Sequence, residues 1–183
     1  MQNSFDEAVN FVFLNEGLYA DNPSDPGGAT KYGISSRFLR ALPIERLRKY
    51  AIFDDEFNIE TLSVEQARMI YREEFWNAAP FDKIGNQRIC NYVFDCAVHH
   101  GLANGVKILQ RAMWAATGMY GLVHDDGILG SITLRRLQPI LSTTWQRNCL
   151  LGALPAERAG FCRAVAMGKG EFLHGWLERC YRV

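Results

Sequence analysis

Residues 5–34 read FDEAVNFVFLNEGLYADNPSDPGGATKYGI, an amphipathic helix that ends at a carboxylate and runs into a turn-rich segment. The apolar side chains of the first half have the spacing of one helical face, and Glu16 continues that series. Ser4 and Glu7 form a capping-box pattern at the start, and Gly17 suits the end of a helix. The pattern therefore predicts a helix that carries Glu16 on its buried face.

A buried carboxyl at this position has a chemical use. Burial disfavours the charged form and raises the pKa, which is what a general acid needs near neutral pH. The alternative is an exposed glutamate at a helix end. The glycines and prolines of residues 17–33 exclude a continuing helix and predict tight turns or a short hairpin, which could bring Asp25 opposite Glu16. Two carboxylates in different environments are the minimum for cleaving a glycosidic bond.

Three short runs in this segment carry a family resemblance. Residues 16–19, 25–30 and 33–34 resemble the signature of glycoside hydrolase family 108, N-acetylmuramidases of bacteria and phages that cut peptidoglycan. The usual form is closer to His-Glu-Gly-Gly-Tyr, so Asn15 and Leu18 depart from it beside the acid. The spacing of acid, second carboxylate and threonine is also similar to that of phage-type lysozymes.

The second half of the chain carries a likeness of its own. Residues 94–101, 126–134 and 172–179 resemble the predicted peptidoglycan-binding region that commonly follows this catalytic region. The first run usually reads Asp-x-Ala-Val-Asn-x-Gly, and His99 takes the place of the Asn. The last run resembles the Gly-Trp-x-x-Arg ending of that region.

Periodicity and resemblance together predict a mainly helical, lysozyme-like α+β fold. We expect a helical bundle of two lobes with one small β-hairpin beside the active-site cleft. Residues 1–85 would form the catalytic region and residues 86–183 the peptidoglycan-binding helical region, packed as one compact unit. Apolar periodicity also predicts separate helices over residues 141–151 and 155–167.

The resemblance implies roles for three catalytic residues. Glu16 is the expected general acid, which protonates the oxygen that leaves between two sugars. Asp25 would activate water or stabilise the oxocarbenium-like transition state, although an Asx turn with Pro26 is the structural alternative. Thr30 could position the water, or simply begin a strand. We expect the wider, inverting arrangement of carboxyl groups.

Substrate contacts are expected from Tyr19, Gly28 and Tyr32, which belong to the same segment. The two tyrosines could instead serve only to pack the hairpin. Asp95 lies on a helix predicted to be buried, and we expect it to be a hydrogen-bonded structural carboxylate.

The composition limits the classes of partner and cofactor that the protein is expected to bind. Twenty basic residues balance twenty acidic ones, so no basic field indicates nucleic acid. The five cysteines contain no Cys-x-x-Cys pair, and no Cys or His cluster has zinc-ligand spacing, so buried thiols and catalysis without a metal or cofactor are expected. The first residues lack the pattern of a secretory signal, and no apolar run is long enough to span a bilayer.

The resulting hypothesis is an N-acetylmuramidase that cleaves the β-1,4 bond between N-acetylmuramic acid and N-acetylglucosamine. Made in the cytoplasm without a signal peptide, it would act on periplasmic peptidoglycan after release or export. The resemblance implies two settings, phage lysis with a holin or a bacterial enzyme that opens the wall for export of a protein or toxin. The alternatives are a lytic transglycosylase and a non-catalytic peptidoglycan-binding protein.

Overall fold

The computed structural model describes residues 3–16, 19–20, 29–53, 57–166 and 170–182. The α-helices are α1 Phe5–Glu16, α2 Ser36–Ala41, α3 Ile44–Lys49, α4 Val64–Ile70, α5 Gln87–His100, α6 Leu102–Thr117, α7 Ser131–Ser142, α8 Thr144–Val165 and α9 Gly170–Cys180. Short strands form β1 Tyr19–Ala20, β2 Thr30–Lys31 and β3 Ile34–Ser35. In the described part of the chain, no helix is both long and apolar enough to cross a membrane. The predicted mainly helical α+β class is confirmed.

Helix α1 has the predicted bounds and buries Phe5, Ala8, Val9 and Val12 of the predicted face, whereas Phe13 on the same face is half-buried. Ser4 Oγ accepts a hydrogen bond from the Glu7 backbone N–H at 3.3 Å, the first half of a capping box. The Ser4 backbone N–H donates instead to Gln87 Oε1 on α5, at 2.6 Å. The cap therefore fastens the start of α1 to the start of α5.

Helix α5 occupies the centre of the molecule. One of its sides packs against α1 and another against α6, and α6 in turn packs against α8. A single hydrophobic cluster joins these helices, with Val9, Phe94, Leu109 and Leu150 among its fully buried members. The two halves of the chain thus share a core, which places residues of both close to the end of α1.

The sheet is antiparallel in the order β1-β2-β3, so a third short strand accompanies the predicted hairpin. Thr30 lies opposite Ala20 on one side and Ser35 on the other. The two-residue turn between β2 and β3 is Tyr32-Gly33, with φ values of 52° and 77°. Positive φ at both central residues is typical of a type I′ turn, whose twist matches that of a hairpin.

Ser63 and Gln66 have the sequence spacing of a capping box, which predicts a helix from Ser63 through Trp76. The helix begins there, with reciprocal capping hydrogen bonds between the two residues. After α4 it continues as a π-helical segment, Tyr71–Phe75, and then a 3₁₀ turn, Trp76–Ala78. Single π turns inside helices often occur at functional sites, and this one presents Tyr71 toward the β2–β3 turn.

The predicted interruption between residues 151 and 155 is wrong. Helix α7 extends to Ser142, and α8 continues through Pro155 without a break. Proline removes one backbone donor from a helix interior. Here the Pro155 ring is buried in a helix whose length packs against α6, and that packing outweighs the lost hydrogen bond.

Candidate active site

Glu16 is the last residue of α1, and its carboxyl group lies between two parts of the chain. Its Oε1 atom is 2.7 Å from Arg179 Nη1 on α9, and the Glu16 side chain is 18% exposed. On the other side stands Gly33, where an added Cβ would lie 2.5 Å from Glu16 Cγ and 2.7 Å from Tyr71 Oη. Only glycine leaves room for the Glu16 carboxyl at this turn.

The pKa of Glu16 is raised above its ordinary value, in the direction that the sequence led us to expect. Burial is the main cause, and the negative charge of Asp95 adds to it. The positive charges of Arg179 and Arg158 oppose the shift without cancelling it. The carboxyl therefore holds its proton more strongly than an exposed glutamate does.

Tyr71 connects the π-helical segment to the turn. Its hydroxyl donates to the Tyr32 carbonyl at 2.8 Å. Burial, followed by the charge of Glu16, raises the pKa of Tyr71 well above its ordinary value, so the phenol stays neutral and can donate. The ring of Phe13 packs against both tyrosines, with centroid distances of 5.6 Å to Tyr32 and 5.8 Å to Tyr71.

A cavity of about 190 Å³ opens beside this group. Gly33 and Tyr71, which both approach Glu16, form part of its wall. Ser35 adds a polar group to the wall, and Phe38 from α2 and Phe75 from the π-helical segment add aromatic ones. The recess is of mixed polarity, and the protonatable carboxyl next to its wall makes it a candidate ligand site.

Asp95 on α5 is held by two arginines. Its Oδ2 accepts from Arg158 Nη1 at 2.8 Å and from Arg179 Nε at 3.2 Å, and its Oδ1 accepts from Arg179 Nη2 at 2.6 Å. Asp95 and Arg158 are fully buried, and Arg179 is 7% exposed. The expected hydrogen-bonded structural carboxylate is confirmed. Glu16, Asp95, Arg158 and Arg179 together form what we call the four-charge cluster.

Two histidines of α5 lie next to Arg158, a member of this cluster. Arg158 Nε donates to His100 Nε2 at 3.2 Å, and Arg158 Nη2 lies 3.3 Å from His99 Nδ1. Burial lowers the pKa of His99 to about 2, with contributions from Arg179, His100 and Arg158. A neutral imidazole nitrogen can accept from arginine, so His99 can serve as an acceptor for Arg158 without adding charge.

The structure places the other predicted residues as follows. Thr30 is half-buried in β2, beside the strand that leads out of the Gly33 turn. The Tyr32 carbonyl accepts from Tyr71, and the Tyr32 ring packs on Phe13 of α1. Tyr19 pairs through its backbone with Lys31, whereas its side chain, Asp25 and Gly28 lie outside the described residues. The roles assigned to all these residues stay predictions.

Arg179 and Arg158 are the members of the site that sequence reasoning missed. Arg179 is the arginine of the Gly-Trp-x-x-Arg ending, and Asp95 is the aspartate that opens the motif on α5. Both motifs resemble the predicted peptidoglycan-binding region. In the folded protein they meet each other beside Glu16.

Known proteins resemble the chain along most of its length. The family model described as glycosyl hydrolase 108 matches residues 9–101, and the model described as a predicted peptidoglycan domain matches residues 104–181. The solved structure of SagA from Brucella abortus has 26% sequence identity to the chain and a TM-score of 0.62. The match covers 96% of this chain and 92% of SagA. No curated protein sequence matches the chain.

Proposed function

The chain belongs to the glycosyl hydrolase 108 family and is a peptidoglycan hydrolase, and from this premise we propose that Glu16 is its general acid. The bond we propose is the β-1,4 linkage between N-acetylmuramic acid and N-acetylglucosamine. The observation that carries the proposal is the Glu16 carboxyl itself, which is partly exposed, lies next to the cavity wall and has a raised pKa.

These properties suit the transfer of one proton. Protonated Glu16 would donate to the oxygen that leaves between the two sugars. The carboxylate that remains would have Arg179 Nη1 at 2.7 Å as its counter-ion. Burial thus favours the acid before transfer, and Arg179 stabilises its conjugate base afterwards.

For the second half of the reaction we propose Asp25 as the base or stabiliser and Thr30 as the residue that holds the water. Support comes from the family resemblance of residues 25–30 and from the place of Thr30 in the sheet beside the Gly33 turn. We propose inversion, which requires room for a water between two carboxyl groups about 6.5–9.5 Å apart. NMR of the first-formed anomer measures the outcome, and a retained β-anomer contradicts inversion.

One observation favours a lytic transglycosylase as the second candidate. Among the described residues that adjoin Glu16, the other carboxylate is Asp95, and two arginines enclose it completely. In a lytic transglycosylase a single glutamate suffices, because the hydroxyl of the muramic acid attacks in place of water. Mass spectrometry of digested peptidoglycan separates the two reactions, since hydrolysis leaves reducing ends and transglycosylation leaves anhydro-muramic products.

The decisive variant is Glu16→Gln, which preserves the shape of the side chain and removes its transferable proton. We expect the initial rate of cleavage of purified sacculi to fall about 10²–10⁴-fold, the usual contribution of a general acid, with folding intact. Glu45→Gln, an exposed position on α3, is the matched control and should cleave at the wild-type rate. Full activity in Glu16→Gln refutes the assignment, and wild-type protein that binds sacculi without cleaving them indicates the non-catalytic alternative.

We also propose that the enzyme is made in the cytoplasm and acts on periplasmic peptidoglycan after release by a holin or through another export factor. Either setting, phage lysis or export of a protein or toxin, is compatible with this chemistry. Expression with and without a co-expressed holin tests the first route. Lysis that occurs equally in both cultures argues against a dependence on the holin.

A further inference from the structure

We infer that Arg179 is a positioning residue for Glu16, so that the last helix of the chain completes the active site formed by the first. This inference rests on the proposed role of Glu16 as the acid. It concerns a group from the half of the molecule that matches the predicted peptidoglycan domain.

The geometry of the Arg179 guanidinium carries the inference. Two of its nitrogens, Nε and Nη2, donate to Asp95 at 3.2 Å and 2.6 Å, while the third, Nη1, lies 2.7 Å from Glu16 Oε1. A guanidinium is planar, so two bonds to Asp95 fix the direction of the third nitrogen. Glu16 therefore meets a donor whose position is set before any substrate arrives.

The anchor of this arrangement is rigid. Asp95 is fully buried and also binds Arg158 at 2.8 Å. Arg158 is itself held by His100 and faces His99. Because separating Asp95 from Arg158 would leave two fully buried charges uncompensated, this pair resists rearrangement.

Glu16 is confined from the opposite direction as well. Gly33 stands so close that no Cβ fits between the turn and the Glu16 carboxyl, and Tyr71 lies against the same point. The catalytic region thus supplies one wall and α9 supplies the other. With Arg179 absent, the carboxyl loses the group that holds it against the Gly33 turn.

Four charged or titratable groups face Glu16 from the described elements around it. They are Arg179 from α9, Asp95 from α5, Arg158 from α8 and Tyr71 from the π-helical segment. Tyr71 is neutral in the working range. Arg179 favours the carboxylate, and Asp95 offsets part of that effect. The arginine therefore has an electrostatic influence on Glu16 in addition to a geometric one.

This role differs from that of a glycan-binding residue. Asp95 lies in the part of the chain that matches glycosyl hydrolase 108, and Arg179 lies in the part that matches the predicted peptidoglycan domain. Asp95 accepts from Arg158 and Arg179, and Arg179 divides its guanidinium between Asp95 and Glu16. Both residues act within the protein. A wall-binding region that folds independently of the catalytic region would not place a charged group beside Glu16.

The test compares Arg179→Met with Arg182→Met, which removes an exposed arginine just after α9. Arg179→Met leaves Asp95 paired with Arg158, so the buried carboxylate keeps a counter-ion. We expect cleavage of sacculi at the wild-type optimum to fall about 10- to 100-fold through misplacement of Glu16. We also expect the alkaline limb of the pH–rate profile to move up by about one pH unit, because loss of a neighbouring cation raises a carboxyl pKa.

A merely structural role would reduce the amount of folded enzyme without moving that limb. A folded Arg179→Met protein whose limb coincides with those of the wild type and Arg182→Met overturns the inference, while the proposed function stands. If the wild type does not cleave sacculi at any pH, the proposed function fails. In that case NMR titration of the Glu16 carboxyl carbon tests the pairing with Arg179. The Glu16 resonance is identified by its loss in Glu16→Gln, and its titration midpoint should rise in Arg179→Met.

A further measurement applies if Arg179→Met does not fold. In the wild type, one slowly exchanging arginine Nε–H resonance should shift as Glu16 titrates. That pH-dependent shift should be missing from Glu16→Gln, because the glutamine does not ionise. If no arginine resonance distinguishes the two proteins, the inference is wrong.

Discussion

The end of α1 and the middle of α5 each present a carboxylate to the same arginine, and the two carboxylates behave differently. Asp95 is fully buried and accepts three hydrogen bonds from two guanidinium groups. Glu16 is 18% exposed and has Arg179 on one side and Gly33 on the other. Complete pairing produces a structural carboxylate, whereas burial with incomplete pairing raises the pKa of Glu16.

Asp95→Asn tests the structural role of the fully paired carboxylate, and we expect it to have the largest effect. It leaves the buried Arg158 and Arg179 without their carboxylate, and we expect the free energy of unfolding to fall by about 3–5 kcal/mol. Urea denaturation near neutral pH measures the loss. Glu16→Gln, measured alongside, should be nearly as stable as the wild type.

Asp125→Asn is the matched control for that prediction. Its carboxylate also lies 2.8 Å from an arginine, Arg111, but both side chains are substantially exposed. Exposed ion pairs contribute little, so the urea midpoint should not change measurably. Equal losses in Asp95→Asn and Asp125→Asn would contradict the structural role of the buried pair.

Gly33→Ala adds a methyl group beside the Glu16 carboxyl group, on the side opposite Arg179. The added methyl group would lie 2.5 Å from Glu16 Cγ at a φ of 77°, so either the turn or the carboxyl must move. We expect cleavage of sacculi to fall about 10- to 100-fold. Gly121→Ala has a similar φ of 74° but no atom within 4 Å of the new methyl group, so it should retain wild-type activity. Comparable losses in both variants would mean that backbone strain, and not displacement of Glu16, is the cause.

His99→Asn tests whether the histidine next to Arg158 is neutral in the folded protein. The pKa of His99 is lowered to about 2 in the folded state, so the unfolded chain binds a proton below about pH 6.5 that the folded protein rejects. Stability from this residue is therefore present above that pH and is lost as the pH falls, by about 1.4 kcal/mol per pH unit. Urea midpoints at pH 7, 6 and 5 should show a shallower decline in His99→Asn. The exposed control His124→Asn should follow the wild type, and equal slopes in all three proteins would exclude a neutral buried His99.

Local sequence signals predicted the elements that depend on neighbouring residues. The bounds of α1, the capping box at Ser63 and the buried side of Glu16 all follow from spacing within one or two helical turns. The turn before Ile34 was expected for the same reason. The positive φ of Tyr32 was not, because it depends on the hydrogen bond from Tyr71 and on packing against Phe13.

The four-charge cluster shows why the remaining contacts of the site could not be predicted from the sequence. Asp95 and Arg179 are 84 residues apart, and their meeting depends on how α9 packs against α8. The sequence predicts that Asp95 is a hydrogen-bonded structural carboxylate, but it does not identify Arg179 as the partner. Only the tertiary arrangement shows that each is the binding partner of the other.

The four-charge cluster also has a consequence for local unfolding. Its members come one each from α1, α5, α8 and α9, and the Ser4 cap ties the start of α1 to α5 as well. None of these helices can detach alone without exposing the others' buried ions. They should consequently open as one cooperative unit, a single foldon that contains both ends of the described chain.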